Sequence, residues 1–138
     1  MATLPVEVCL ENLATALIEA VNLCNFDAST FPWIHMHSAF HSEVQEVSIT
    51  GTKSRSETIE EQQKFKIANP DYQIKILSCS ASLLTKDFAQ VFLHTCESGT
   101  PDISDEITRS YVAALKWCLI DGVWYLVKEK RMAGMDVR

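Results

Sequence analysis

The pair Asp121-Gly122 constrains this chain more than any other feature. It sits between two long apolar, β-prone runs, residues 111–120 and 123–131. A two-residue type I′ turn needs positive φ at both central positions, and Asp-Gly meets that need at little steric cost. The spacing predicts a terminal β-hairpin. Both arms carry Val, Leu, Trp and Tyr over lengths that require a partner layer. The upstream chain must supply what this ribbon folds against.

Size and composition bound what it can supply. A length of 138 residues predicts one domain, residues 1–138, and 47% hydrophobic content suits a buried core. No apolar run approaches the ~20 residues of a membrane-spanning helix, so no membrane partner is expected. The opening Met-Ala-Thr-Leu-Pro-Val-Glu has no basic stretch leading into an apolar one, so no signal peptide is expected. A net charge of −6 with scattered basic residues speaks against a nucleic-acid partner. Cys9, Cys24, Cys79, Cys96 and Cys118 are odd in number and form no Cys-x-x-Cys. They read as small buried residues in a reducing compartment, which points to the cytoplasm.

Residues 5–24 read as a helix: Val6, Leu10, Leu13, Leu17, Val21 and Cys24 recur at spacings of three and four. Pro5 suits its first turn. Asn25-Phe26-Asp27 ends it, and Phe31-Pro32 breaks regular structure. Ser38-Ala39-Phe40 reads as a short turn into an extended segment, His41 to Thr50, packing through Val44, Val47 and Ile49. Residues 51–54 read as a polar connector without the spaced glycines of a phosphate-binding loop. Ser54-Arg-Ser-Glu57 has the form of a capping box and predicts a helix from Arg55 to Ala68, with Ile59, Phe65 and Ile67 as apolar contacts. Asn69-Pro70 stops it. Strands follow at 72–82, 88–97, 107–120 and 123–132. Helices first and consecutive antiparallel strands last make an α+β domain. Hairpin-linked strands of this width can curl around two helices and leave a cavity.

This order of elements resembles the nuclear-transport-factor-two-like superfamily, and within it the SnoaL-like branch. The resemblance is carried by Asn25-Phe26-Asp27 after a long first helix, by Ala68-Asn-Pro-Asp-Tyr72, by Ala89-Gln-Val-Phe92 and by Asp121-Gly-Val-Trp124. The segments 37–44 and 69–72 resemble small fungal members. The resemblance implies a cone-shaped, curved antiparallel sheet wrapped around N-terminal helices, an α+β barrel that usually dimerises through its outer sheet face. It also implies chemistry without a metal or cofactor. The superfamily includes isomerases, dehydratases, polyketide cyclases and plain binding modules, so fold does not settle function.

Three groups of residues can carry chemistry. His35 and His37 share a face on an extended backbone. With His41 they could hold zinc, but beyond Glu43 no paired Cys or Glu stands at ligand spacing, and no metal is expected. His37 as a general acid or base competes with histidines merely satisfied at a sheet edge. The second group is Tyr111 and Glu129. A carboxylate inside an apolar cone has a raised pKa, and a phenol can donate to a developing oxyanion. A strict turn pairs Ile120 with Val123, Leu119 with Trp124 and Trp117 with Leu126, which puts Tyr111 and Glu129 on opposite faces. A single β-bulge would bring them together. Failing that, Glu129 forms a surface ion pair. The third group is His94, on one face with Gln90, Phe92 and Cys96, as pocket wall or as core. Trp33, Phe40 and Trp117 either wall a pocket or fill the core. No nucleophile elbow, dinucleotide fingerprint or His-Glu-x-x-His is present.

The expected function is a cofactor-free isomerase, cyclase or dehydratase acting on a bulky apolar intermediate of secondary metabolism. His37, Tyr111 and Glu129 would be catalytic. Trp33, His35, Phe40, His41, Phe92, His94 and Trp117 would bind substrate. The alternative is a non-catalytic ligand-binding or dimerisation module with a plugged cone. A pocket with a histidine or carboxylate turned into it separates the two. Both hairpin faces are apolar near the turn, which predicts an outer face covered by a second subunit, a homodimer.

Overall fold

The computed structural model of the protein describes residues 4–46, 49–100 and 109–133. Helix α1, Val6–Asn22, buries Leu10, Ala14, Leu17, Ala20 and Val21. It ends where Cys24 takes a φ of 59°. The Asn22 amide then ties the helix end to the sheet, donating to the Ile74 carbonyl and accepting from the Ile74 N–H, both at 2.8 Å.

A single 3-10 turn, Trp33–His35, leads into β1, Met36–Glu46, and then β2, Ile49–Ser54. Strand therefore starts at Met36, earlier than expected, and residues 51–54 are strand and not connector. His41 pairs with Ser54 and Glu46 with Ile49. β2 is an edge strand whose polar residues hide its extended character from a periodicity reading. Val47 lies outside the described residues, as do residues 107–108 of the expected third strand.

Helix α2, Arg55–Ala68, opens on the expected capping box. The Glu57 N–H donates to Ser54 Oγ at 3.3 Å, and the Ser54 N–H to Glu57 Oε1 at 3.2 Å. Among its expected apolar contacts only Ile59 is buried; Phe65 and Ile67 are exposed. What fastens α2 instead is polar. The Arg55 guanidinium donates to the carbonyls of Ala28, Trp33 and Met36.

The remaining strands are β3, Gln73–Leu83; β4, Phe88–Ser98; β5, Arg109–Ile120; and β6, Val123–Ala133. The sheet order is β2-β1-β6-β5-β4-β3. Every described pairing is antiparallel except β1 with β6, which is parallel, so the curved sheet is mixed. Asp121 and Gly122, with φ of 50° and 79°, form the terminal turn in the positive-φ conformation that the sequence predicts. Register shifts interrupt the β1–β6, β3–β4 and β5–β6 ladders. Each such bulge sharpens local bend and twist, and together they let the sheet close around α1.

The core lies between α1 and the concave face. It includes Leu10, Trp33, Phe40, Val91, Leu115, Trp117 and Leu126. Trp117 and Phe40 are fully buried and plug the interior. The cysteines depart from expectation: Cys9 and Cys24 are exposed and the other three half-buried, all as free thiols. Cys9 stands off the buried stripe of α1, and Cys24 sits in the bend that ends it.

Candidate active site

The inner wall is set by strand parity. On β4 the odd positions Ala89, Val91, Leu93, Thr95 and Glu97 are buried, while the even positions face outward. On β5 Tyr111, Ala113, Leu115 and Trp117 are buried. On β6, Leu126 pairs with Trp117, but Lys128 pairs with Lys116 and Glu129 with Leu115. Val127 is thus the extra residue of a bulge. Beyond it the alternation is inverted, and Glu129 and Arg131 join Tyr111 on the concave side.

Two connected compartments open within this wall. The more polar one, about 280 Å³, is lined by Ser42, Lys53, Glu61, Phe65, Tyr72, Glu97, Tyr111, Glu129 and Arg131, with Thr58 and Gln62 of α2. The apolar one, about 90 Å³, lies against α1 and is lined chiefly by Leu17, Ile18, Trp33, Met36, Leu93, Leu115 and Leu126. Thr58, Gln62, Glu97, Glu129 and Arg131 border both. Charged groups and apolar surface therefore meet at a few side chains.

Their electrostatics differ. Glu129 is half-buried and borders both compartments, where packing removes much of the water from around its carboxyl. Desolvation pushes that carboxyl above its ordinary value of 4.5, against the opposing pull of the Arg131 charge. Tyr72 Oη donates to Glu97 Oε1 at 2.7 Å. Burial, and then the charge of Glu97, holds the Tyr72 hydroxyl far above the usual phenol range, so it stays a donor. The Arg131 guanidinium carbon sits 4.8 Å from the centre of the Tyr111 ring, a cation–π contact. Its buried Nε has no hydrogen-bond acceptor among the described residues. At the outer edge Lys53 pairs with Glu61 at 2.5 Å. The buried Lys66 ammonium donates to the Tyr72 carbonyl and fixes the turn that carries Tyr72.

Of the residues singled out from sequence, the bulge brings Tyr111 and Glu129 onto one wall, and Trp33 lines the apolar compartment. Trp33 is held there by its indole N–H, which donates to the Asn25 carbonyl at 2.8 Å. Phe40 and Trp117 are core, not cavity wall. His35, His37, His41, Phe92 and His94 line neither compartment. The His35 ring nitrogen Nδ1 contacts the Trp124 carbonyl at 3.0 Å, and the ring tilts toward Tyr125. His37 Nδ1 accepts from the Ala39 N–H at 3.0 Å, and its ring meets Tyr125 edge-on. His41 alternates with the cavity-lining Ser42. Phe92 and His94 occupy even positions of β4, where Phe92 is 49% exposed. For the strand residues His37, His41, Phe92 and His94 the reason is parity, since their shared face is the outer one, whereas His35 lies in the 3-10 turn and not on an extended backbone as expected.

Sequence reading passed over Tyr72, Glu97 and Arg131 as site residues. Glu97 had a usable signal, standing two and four positions after Thr95 and Leu93 on one face of β4. Tyr72 precedes its strand, and no periodicity reports on it. Among the described residues no three His, Cys, Asp or Glu side chains stand close enough to hold a metal ion. No helix among them is long and apolar enough to cross a membrane.

No family model matches the chain, and no curated protein matches it significantly. Solved structures do. An uncharacterized protein with a cystatin-like fold from Caulobacter vibrioides superposes with a TM-score of 0.73 at 14% identity, over 91% of this chain and 87% of that one. An NTF2-like protein of unknown function from Pseudomonas putida gives 0.73 at 12% identity, over 96% and 89%. A Novosphingobium aromaticivorans protein, provisionally assigned as a scytalone dehydratase, gives 0.69 at 8% identity, over 93% and 83%. At these identities the likeness is one of fold: the chain has the NTF2-like, cystatin-like α+β cone.

Proposed function

We propose that this protein is a cofactor-free acid/base enzyme of the SnoaL-like type, an isomerase, cyclase or dehydratase acting on a bulky apolar intermediate of secondary metabolism. The observation that carries this reading is Glu129: a desolvated carboxyl with a raised pKa, at the border between a polar and an apolar compartment. Isomerisation, cyclisation and dehydration all move a proton at or beside a carbon centre. In its ionised form Glu129 takes that proton, and desolvation makes it a stronger base than a carboxylate in water. In its protonated form it returns the proton to another position of the same ligand. The apolar compartment against α1 fixes the ligand skeleton and keeps water from the reacting carbon. Tyr111 acts through its ring, which seats the Arg131 guanidinium beside Glu129. His37 has no part in this scheme, because it is not on the cavity wall. The provisional dehydratase among proteins of this fold is compatible with such chemistry. The protein would work as a homodimer in the cytoplasm, on a small molecule, as one domain.

The test is solvent deuterium uptake. Bicyclic and tricyclic ketones and alcohols are incubated with protein in D2O, and label at carbon is read by mass spectrometry. Wild-type protein is expected to label at least one compound, and Glu129→Gln to lose that labelling by about 100-fold or more. Equal labelling by both proteins would overturn the reading. A second reading is favoured by one feature: the apolar compartment is small, about 90 Å³, while Trp117 and Phe40 are fully buried in the core. A binding module would hold ligand and label nothing.

A further inference from the structure

Arg131 is the residue of the cavity with most work to share and least satisfaction. It borders both compartments, stacks on Tyr111, and has a buried Nε without an acceptor among the described residues. A buried donor left unpaired is unfavourable, and an incoming oxygen would relieve that. Two other donors of the polar compartment are committed. Lys53 is paired with Glu61, and the Tyr72 hydroxyl is given to Glu97.

Charge decides what kind of oxygen. Arg131, Glu129 and Glu97 line the same two compartments, and the Arg131 charge opposes the raised pKa of Glu129. One guanidinium beside two carboxyl groups leaves no surplus positive charge for a permanently anionic ligand. A neutral acceptor oxygen brings no such conflict. If a proton then passes from ligand to Glu129, a C–H bond breaks, a carboxyl O–H bond forms, and the electron pair moves to the ligand oxygen. The cavity's total charge is unchanged, and the new negative charge lies on the ligand oxygen, against the guanidinium.

We infer that Arg131 is the specificity-determining residue of this cavity. It selects a neutral carbonyl compound on an apolar skeleton, seats the oxygen on its guanidinium edge, and rejects a carboxylate on a bicyclic skeleton of similar size. This rests on the cavity being a ligand site, as proposed above, but not on turnover there.

The experiment is direct binding by calorimetry, with 2-tetralone as the carbonyl probe, tetralin as the same skeleton without oxygen, and 2-naphthoate as the anion. Wild-type protein is expected to prefer 2-tetralone over tetralin, and over 2-naphthoate, by about tenfold each, as a hydrogen bond to a charged donor contributes. Arg131→Met is expected to lose the preference for 2-tetralone while still binding tetralin, which also reports that the cavity survives. Equal binding of 2-tetralone and tetralin by wild-type protein, tighter binding of 2-naphthoate, or a preference that persists in the variant would each overturn the inference. Deuterium uptake reports separately on Glu129. Selective binding without labelling leaves the Arg131 seat standing and removes the catalytic reading; labelling without selectivity does the reverse.

Discussion

Glu129 stands directly across from Leu115 on the neighbouring strand, and Val127, the residue left over between Leu126 and Lys128, is what puts it there. In an unbroken ladder Glu129 would turn to the outer face and Lys128 to the inner one. One inserted residue thus decides whether the cone holds a buried acid or a buried ammonium.

That placement gives stability a definite pH dependence. Native Glu129 binds its proton more tightly than the unfolded chain, whose value is near 4.5. Its contribution is full below that value and is lost as pH rises through the higher native value. Each unit of difference amounts to about 1.4 kcal/mol. Glu129→Gln cannot titrate. Its unfolding free energy relative to wild type is therefore expected to rise between about pH 4 and pH 8, as followed by urea denaturation. A constant difference across that range would contradict the burial of this carboxyl.

Tyr72 and Glu97 offer a second test. Tyr72→Phe keeps the edge-on packing against Phe65, 4.7 Å between ring centres, and removes only the donor to Glu97. Leaving a buried carboxyl without that donor is expected to cost about 1–3 kcal/mol at neutral pH. A denaturation midpoint equal to wild type would show that the hydrogen bond carries no weight.

The extent to which these features could be read in advance follows from the range of the forces involved. Local chemistry was legible. Asp121-Gly122, the Ser54–Glu57 capping box and the α1 stripe each act within a few residues. The α+β cone followed from element order and from the resemblance carried by segments such as 69–72. Registers and faces were not legible, because they depend on partners distant in sequence. The Val127 bulge is defined by the pairing with β5, a strand that the local sequence of β6 does not specify. The outward turn of Phe92 and His94 reflects which side of β4 meets α1, and β4 is apolar on both sides. β2 escaped notice because an edge strand need not alternate.

Glycine supplies a contrast. Gly99 has a φ of 83°, and a Cβ there would lie 1.9 Å from the Asp71 carbonyl oxygen. Gly122 has a φ of 79° and nothing within 4 Å of such a Cβ. Gly122→Ala is expected to cost about 1 kcal/mol, backbone strain alone. Gly99→Ala adds a backbone clash beside Tyr72 and is expected to cost about 2 kcal/mol more. Equal melting temperatures for the two variants would contradict the close approach of the 98–100 turn to Asp71.

The outer face bears on assembly. Phe88 and Phe92 on β4 are 48% and 49% exposed, and Ile120 and Val123 flank the terminal turn with 38% each. Apolar surface of this kind is what a second subunit would cover. Light scattering is expected to give twice the mass of the chain, and Phe92→Asp to shift it toward one chain. A monomeric mass for wild-type protein in dilute solution would refute the dimer.

The most direct test of the central claim is the titration of Glu129 itself. Carbon-13 NMR of glutamate side-chain carboxyls, assigned by difference against Glu129→Gln, gives its midpoint in the folded protein. A midpoint above 4.5 is the expected result, moving higher still in Arg131→Met, where the opposing cation is gone. A midpoint at or below 4.5 in wild-type protein would place this carboxyl in water or in an ion pair, and the proton shuttle proposed for the cavity would fall with it.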